Sequence, residues 1–184
     1  MSTSFPSILV IDNTAFISGF DLNAFLQNKH VQVFITSKVF EEAMKNPRSI
    51  QKIEVAQAQG ILKIQDPARE YIIKVKQAAT ESGDIGALSQ TDIELIGLGL
   101  ELHETQNDQQ ISIMSDDYSV QNVCSRIKLQ FIKYQKAGIK RNFKWEIYCP
   151  NCFHTFPPKM LGKECDFCGE TLKRRVFKGK QRHL

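Results

Sequence analysis

Short runs of β-branched and apolar residues, each followed by a stretch with helical spacing, recur along this 184-residue chain and constrain its fold more than any other feature. Ile8-Leu9-Val10-Ile11 is the first, and Val31–Ile35, Ile61–Ile64 and Ile111–Met114 follow. Runs so short and so little interrupted by polar residues suit strands covered on both faces, the setting of a parallel sheet. The punctuation between them is helical. Thr36 is placed to cap a helix reaching about Met44, Pro47 restarts helix through Ser49–Gln59, and Gly60 stops it. Pro67 suits the first turn of a helix that ends at Gly83. Ser89 caps the next, where Ile93, Ile96, Gly97 and Leu100 recur at helical spacing. Val120, Val123, Cys124 and Ile127 repeat that spacing after the last run, and a further short helix is expected over Asp21–Gln27. The alternation predicts an α/β fold with a parallel central sheet flanked by helices.

Such sheets bind ligands outside the carboxyl ends of their strands, and acids stand there. Asp12 ends the first run, Glu42 lies six residues beyond Thr36, Asp92 heads the most apolar helix, and Ser115-Asp116-Asp117 follow the last run. Each acid alone has a plain structural reading. Asp12 suits an Asx turn, Asp92 the positive end of a helix dipole, Asp117 a helix cap, and Glu42 a solvated surface beside Glu41. Together they converge on one crevice, where their repulsion calls for a divalent cation. Oxygen ligands of this kind suit Mg²⁺ or Mn²⁺ better than zinc. Asp84 and Asp108 lack that placement and read as loop acids.

Cys149-Pro150-Asn151-Cys152 and Cys165-Asp166-Phe167-Cys168 form two CxxC pairs separated by 12 residues. Two such knuckles supply four thiolates to a tetrahedral metal and leave it no open position, so the metal is structural. Zn²⁺ is the first choice; a rubredoxin-like iron site and paired disulfides are the alternatives. The segment is too short for a large core, and metal binding drives its folding. His154 is expected to be exposed or in contact with RNA rather than a ligand, and Cys124 lies on an apolar helical face and reads as core.

Charge divides the chain in the same place. Residues 1–130 carry 11 Lys+Arg against 16 Asp+Glu, whereas residues 131–184 carry 13 against 4. An acidic first part followed by a basic second part places a carboxylate site beside a polyanion. Lys140, Arg141, Lys144, Lys173, Arg174, Arg175 and Lys178 are the candidate phosphate contacts, and Phe153 and Phe156 the exposed aromatics expected beside them. The bland alternative is a solvated basic tail. The expected division is a first domain over 1–130, a basic linker over 131–146, a zinc ribbon over 147–177 and a basic tail over 178–184. No apolar stretch reaches the roughly 20 residues that span a bilayer, and the first residues lack the pattern of a signal peptide. A cytoplasmic protein with no membrane partner is the expectation.

Ile-Asp-Asn-Thr at 11–14, Thr-Ser-x-Val-x-Glu-Glu at 36–42, Leu-Ser-x-Thr-Asp at 88–92 and Ser-Asp-Asp-Tyr-Ser-Val-Gln-Asn at 115–122 resemble the acidic motifs of PIN-domain nucleases. With the cysteine ribbon behind them, they resemble the archaeal form of the Nin-one-binding (Nob-type) endoribonucleases across about residues 7–177. The resemblance implies that Asp12, Glu42 and Asp92 are catalytic acids that hold Mg²⁺ or Mn²⁺. Asp117 and its neighbour Asp116 share the fourth place, and Ser115 stands where the family often has threonine. It implies cleavage of precursor small-subunit (16S) ribosomal RNA at the mature 3′ end, within the pre-ribosomal small subunit, leaving a 5′-phosphate and a 3′-hydroxyl. No histidine occurs in the acidic motifs, which argues against cleavage through the 2′-hydroxyl. The competing readings are an RNA-binding ribosome-assembly factor that does not cut and a zinc-ribbon transcription or translation factor, which leaves the carboxylates unexplained.

Overall fold

Burial of all four side chains of β1 (Ile8–Ile11) requires strands on both of its edges and cover on both of its faces. The computed structural model describes residues 6–17, 31–133 and 144–177. β2 (Gln32–Ile35) and β4 (Ile111–Met114) flank β1, β3 (Leu62–Ile64) pairs with β2, and β5 (Gln130–Ile132) pairs with β4. All four pairings are parallel, and the sheet order is β3-β2-β1-β4-β5. Among the described residues, the helices between β1 and β4 are α1 (Asn13–Ile17), α2 (Ser37–Ala43), α3 (Pro47–Ala58), α4 (Arg69–Ser82) and α5 (Gln90–Thr105). A further helix, α6 (Tyr118–Arg126), joins β4 to β5.

Capping fixes where these helices begin. Thr36 accepts the Val39 N–H at 3.2 Å and starts α2, while Asn46 caps α3 with Pro47 in its first turn. Ser89 and Asp92 form a reciprocal capping box on α5. Pro67 lies outside its expected helix. Ala68 is the N-cap of α4 and has no side-chain cap of its own. The Glu101 carboxylate of α5 instead accepts the Ala68 N–H at 2.7 Å, so the two antiparallel neighbours are tied at that end. α5 is the central helix. Leu95, Ile96, Leu98 and Leu102 are nearly inaccessible, and each contributes about 2 kcal/mol by burial. It packs against β1 and β4, which sets its first turn at the carboxyl edge of the sheet.

The expected helix over Asp21–Gln27 lies outside the described residues. β5 is not visible in the sequence, and both ends of the expected linker over 131–146 lie in strands. Residues 131 and 132 complete β5, and β6 (Trp145–Tyr148) opens the second sheet at residue 145. In that sheet β6 runs antiparallel to both β7 (Thr155–Phe156) and β8 (Lys173–Val176). Its core is small: Ile147, Leu172, Cys149 and Cys165 are buried, with Phe156 packed against them. Phe156 is therefore not one of the exposed aromatics. Cys124 is fully buried in the main core, where burial pushes its thiol far up. Among the described residues, no helix is long and apolar enough to cross a membrane.

Candidate active site

Leaving β1, the chain moves to one side of the sheet and later returns on the other through β4, so the carboxyl ends of these strands border a crevice. Ile11 and Met114 are paired there, and Asp12 continues the ladder with its N–H on the Met114 carbonyl at 3.3 Å. Asp12 Oδ1 accepts from the Thr14 N–H and from the Thr14 hydroxyl at 2.9 Å. The Ser115 hydroxyl donates to Asp12 Oδ2 at 2.9 Å from the end of β4. The expected Asx turn forms, and it aims the carboxylate rather than replacing any other role.

Glu42, on α2, is held by two side chains. The Thr91 hydroxyl donates to Oε1 at 2.7 Å and the Asn13 amide to Oε2 at 3.4 Å. Asp92 takes the Ser89 N–H at 2.8 Å and the Ser89 hydroxyl at 2.7 Å, both on Oδ2. Asp117 caps α6 by accepting the Ser119 N–H at 2.6 Å, and its own N–H donates to Ser115 Oγ at 3.1 Å. Asp116 is buried beside it, whereas Asp117 is exposed. Thr14, Asn13, Thr91 and Ser89 have no site role legible in the sequence. Their signal lies in the motifs, since each sits one to three residues from a site acid.

The acids share one electrostatic field. Burial pushes the Asp12 carboxyl above the ordinary aspartate range, its Thr14 and Ser115 hydrogen bonds oppose this, and the Asp92 charge adds to it. Burial also raises Asp92; Ser89 pulls it down, and the charges of Asp117 and Glu42 push it up again. Asp92 on α5 thus faces the charges of Glu42 on α2 and of Asp12 and Asp117 at the ends of β1 and β4. The Asn13 side-chain oxygen is buried beside them with no hydrogen-bond donor among the described residues. An all-oxygen donor set carrying excess negative charge fits a hard divalent cation.

Cys149, Cys152, Cys165 and Cys168 bring their sulfurs within 4.8 Å of one another, with contacts of 3.4 and 3.5 Å between partners from opposite knuckles. Four ligands at tetrahedral corners around zinc stand about 3.8 Å apart for bonds of about 2.3 Å, so the quartet has the geometry of a zinc ribbon. Although burial works against it, the N–H groups of Cys152 and Asn151 and the Cys168 thiol lower the Cys149 thiol, while the neighbouring sulfurs raise that of Cys152, so the quartet ionises first at Cys149. Ionised sulfur is the form that binds metal. Phe153 and Gly169, each directly after the second cysteine of a knuckle, have φ of 63° and 75°. His154 is exposed, lies 3.3 Å from Cys152 Sγ and stacks on Phe167 with ring centres 4.1 Å apart.

The basic candidates separate into groups. Lys173 is exposed, and Lys144 rests its ammonium over Phe177 at 5.3 Å. Arg175 pairs with Glu146 at 3.1 Å and stacks on Tyr148. Arg174 turns inward to Asp84 and Ser119 instead of presenting a free guanidinium. Asp84 lies in the loop between α4 and α5, as expected, but its side chain is completely buried. Lys140, Arg141 and Lys178 lie outside the described residues.

Known proteins resemble this chain in sequence. A family model described as the PIN domain of ribonuclease matches residues 9–102. The chain is 31% identical to the Endoribonuclease Nob1 of Methanothermobacter thermautotrophicus, over 90% of this chain and 91% of that protein. It is 33% identical to the Endoribonuclease Nob1 of Pyrococcus abyssi over 90% and 91% of the two chains. The 20S-pre-rRNA D-site endonuclease NOB1 of Saccharomyces cerevisiae is 29% identical over 58% of this chain and 22% of its own length. A family model over half of the chain and Nob1 relatives at 31% and 33% identity, matched over 90% of it, place this chain in the Nob1 family of PIN-domain endoribonucleases.

Proposed function

We propose that this endoribonuclease matures the 3′ end of small-subunit (16S) ribosomal RNA within the pre-ribosomal small subunit, using Mg²⁺ or Mn²⁺ at the acids and Zn²⁺ in the ribbon. What supports the chemistry is the hydrogen-bonded placement of the acids at the carboxyl edge of the sheet: Ser115 links Asp12 to the Asp117 N–H, and Thr91, next to Asp92, holds Glu42. The substrate rests on the yeast relative, whose name specifies a pre-rRNA. Asp12, Glu42, Asp92 and Asp117 would hold the divalent cation, with Asp116 sharing the fourth place and Ser115 beside them. When bound, the cation supplies a Lewis acid for the scissile phosphate and favours ionisation of the attacking water. The residues themselves fix the geometry. Thr14 and Ser115 lock both Asp12 oxygens, Thr91 locks Glu42, and Ser89 locks Asp92 on Oδ2. In-line attack by water then leaves a 5′-phosphate and a 3′-hydroxyl. Incubating the chain with an RNA spanning the 3′ end of 16S and its downstream spacer tests this. One cut at the mature end, stopped by EDTA and restored by Mn²⁺ or Mg²⁺, is the expected result. Cuts scattered along the RNA would sink the substrate assignment, and absence of cutting with either metal would sink the reaction.

The raised carboxyls give a pH signature. An ordinary unfolded aspartate ionises near 3.8, and Asp12 and Asp92 keep their protons to higher pH in the folded chain. The metal-free fold therefore loses stability from these two groups as pH rises through that interval, and the loss is complete above their folded pKa. A bound cation removes the penalty. The gain in Tm on adding Mn²⁺ to chelator-treated protein should therefore shrink as the pH is lowered from neutrality toward the ordinary aspartate range, where both carboxyls regain their protons. A gain that stays constant down to that range, measured by thermal unfolding, would show that the cation binds elsewhere.

A further inference from the structure

Four residues join the ribbon to the helix that carries Asp117. Arg174 Nη1, from β8, donates to Asp84 Oδ1 at 3.4 Å and to Ser119 Oγ at 3.2 Å. The Asn122 amide of α6 donates to the other oxygen of Asp84. The Asp84 side chain is fully buried and that of Arg174 only 31% exposed, with its guanidinium 4.6 Å above the Trp145 ring. Backbone closeness builds the seat. A Cβ on Gly83 would lie 2.4 Å from the Trp145 carbonyl oxygen, and one on Gly86 would lie 2.6 Å from that of Pro158. The turn between α4 and α5 therefore lies directly against the ribbon. Arg174 thereby spans a buried carboxylate and the first turn of α6. Ser119 also donates its N–H to Asp117 at 2.6 Å.

We propose that Arg174 is a positioning residue for the carboxylate site: anchored on Asp84, it holds Ser119 and hence Asp117 in place, so the ribbon contributes to the chemical step and not only to RNA affinity. The inference rests on the assignment of Asp117 to the cation site. Both contacts come from Nη1, and the stacking of the guanidinium over the Trp145 ring fixes the direction of that nitrogen, which a flexible lysine ammonium with no flat face would not reproduce. Removing the guanidinium leaves Asp84 buried without its cation, and the contacts around Asn122 and Ser119 rearrange.

The test uses the full chain, with Mn²⁺ affinity measured by calorimetry beside single-turnover cleavage of a single-stranded RNA. Arg174→Met should weaken Mn²⁺ binding and slow cleavage about tenfold or more, as losses in the shell behind metal ligands do. RNA affinity at constant salt should stay within about twofold, since no free phosphate contact is lost. Arg174→Lys should recover only part of the loss. Ser119→Ala keeps the backbone cap of Asp117 and removes only the hydroxyl, so it should give a smaller loss in both readouts. Asp84→Asn combined with Arg174→Met should cost no more than Arg174→Met alone, because the two act as one unit. Unchanged Mn²⁺ affinity and rate in Arg174→Met, with weaker RNA binding and a salt slope reduced by about one, would make Arg174 a phosphate contact and overturn the proposal. If Arg174→Met does not fold, Ser119→Ala decides, and native values there overturn it. Should the native chain bind Mn²⁺ at the acids yet cut nothing, the proposed function fails while the Mn²⁺ affinities still decide the positioning role.

Discussion

Asp92→Asn is expected to lower the single-turnover cleavage rate by about 10³-fold or more, equivalent to about 4 kcal/mol of barrier. The fold should be untouched. The amide keeps a side-chain oxygen to accept the Ser89 bonds that Oδ2 now takes, so the capping box persists. The substitution deletes a charge that burial, Asp117 and Glu42 all disfavour. The metal-free variant should accordingly melt no lower than the native chain. The same change at Asp12 is less clean, because both oxygens of Asp12 accept hydrogen bonds and an amide would turn a donor toward Thr14 or Ser115. An Asp92→Asn chain that cuts RNA at the native rate with the same metal would disprove the site.

Cys165→Ser should lower zinc content well below one equivalent and unfold the ribbon while the five-stranded sheet persists. The energies are unequal. Ile147 and Leu172 are the buried aliphatic side chains of the ribbon core and contribute about 4 kcal/mol together. Fixing each residue of such a segment costs about 1–2 kcal/mol of backbone entropy. Only the metal, worth about 10–16 kcal/mol in comparable small folds, closes that gap. Trp145 is the single tryptophan of the chain and lies on β6 under Arg174, so its emission reports the ribbon directly. A red shift in Cys165→Ser, with far-UV helix signal retained, is the expected result. Full zinc content together with native emission would show that the quartet is not the metal site. Cys124→Ser should leave zinc content unchanged, because Cys124 belongs to the main core.

What can be read from the sequence is local. β1 and β4 are uninterrupted apolar runs, and Thr36 and Ser89 cap helices within three residues of themselves, so strand ends, helix starts and the placement of the acids near them follow from neighbours in the chain. β5 escapes because Gln130-Phe131-Ile132 is a three-residue edge strand in a segment of mixed basic and aromatic character, with no period to detect. Asp84 and Arg174 mislead together. Their contact spans 90 positions, and burial created at such a distance leaves no trace in the residues around either one. The second tasks of Thr14 and Thr91 are hidden for the opposite reason, since a threonine beside an aspartate is ordinary until the fold shows what its hydroxyl reaches.

The order of strands also has a consequence for a chain made from its N-terminus. β1 is synthesised first, yet one of its two neighbours is β4, and the Ser115 hydroxyl that fixes Asp12 lies 103 residues later. Contacts of such long range form late and slowly. While residues after 105 are still inside the ribosomal exit path, β1 has an open edge and Asp12 lacks both Ser115 and the Asp117 side of the crevice. The cutting centre is thus assembled only when the central strand is inserted, after most of the domain has emerged. With the proposed acids as its cutting centre, a nascent nuclease of this topology is expected to gain activity only after β4 has emerged from the ribosome that is making it.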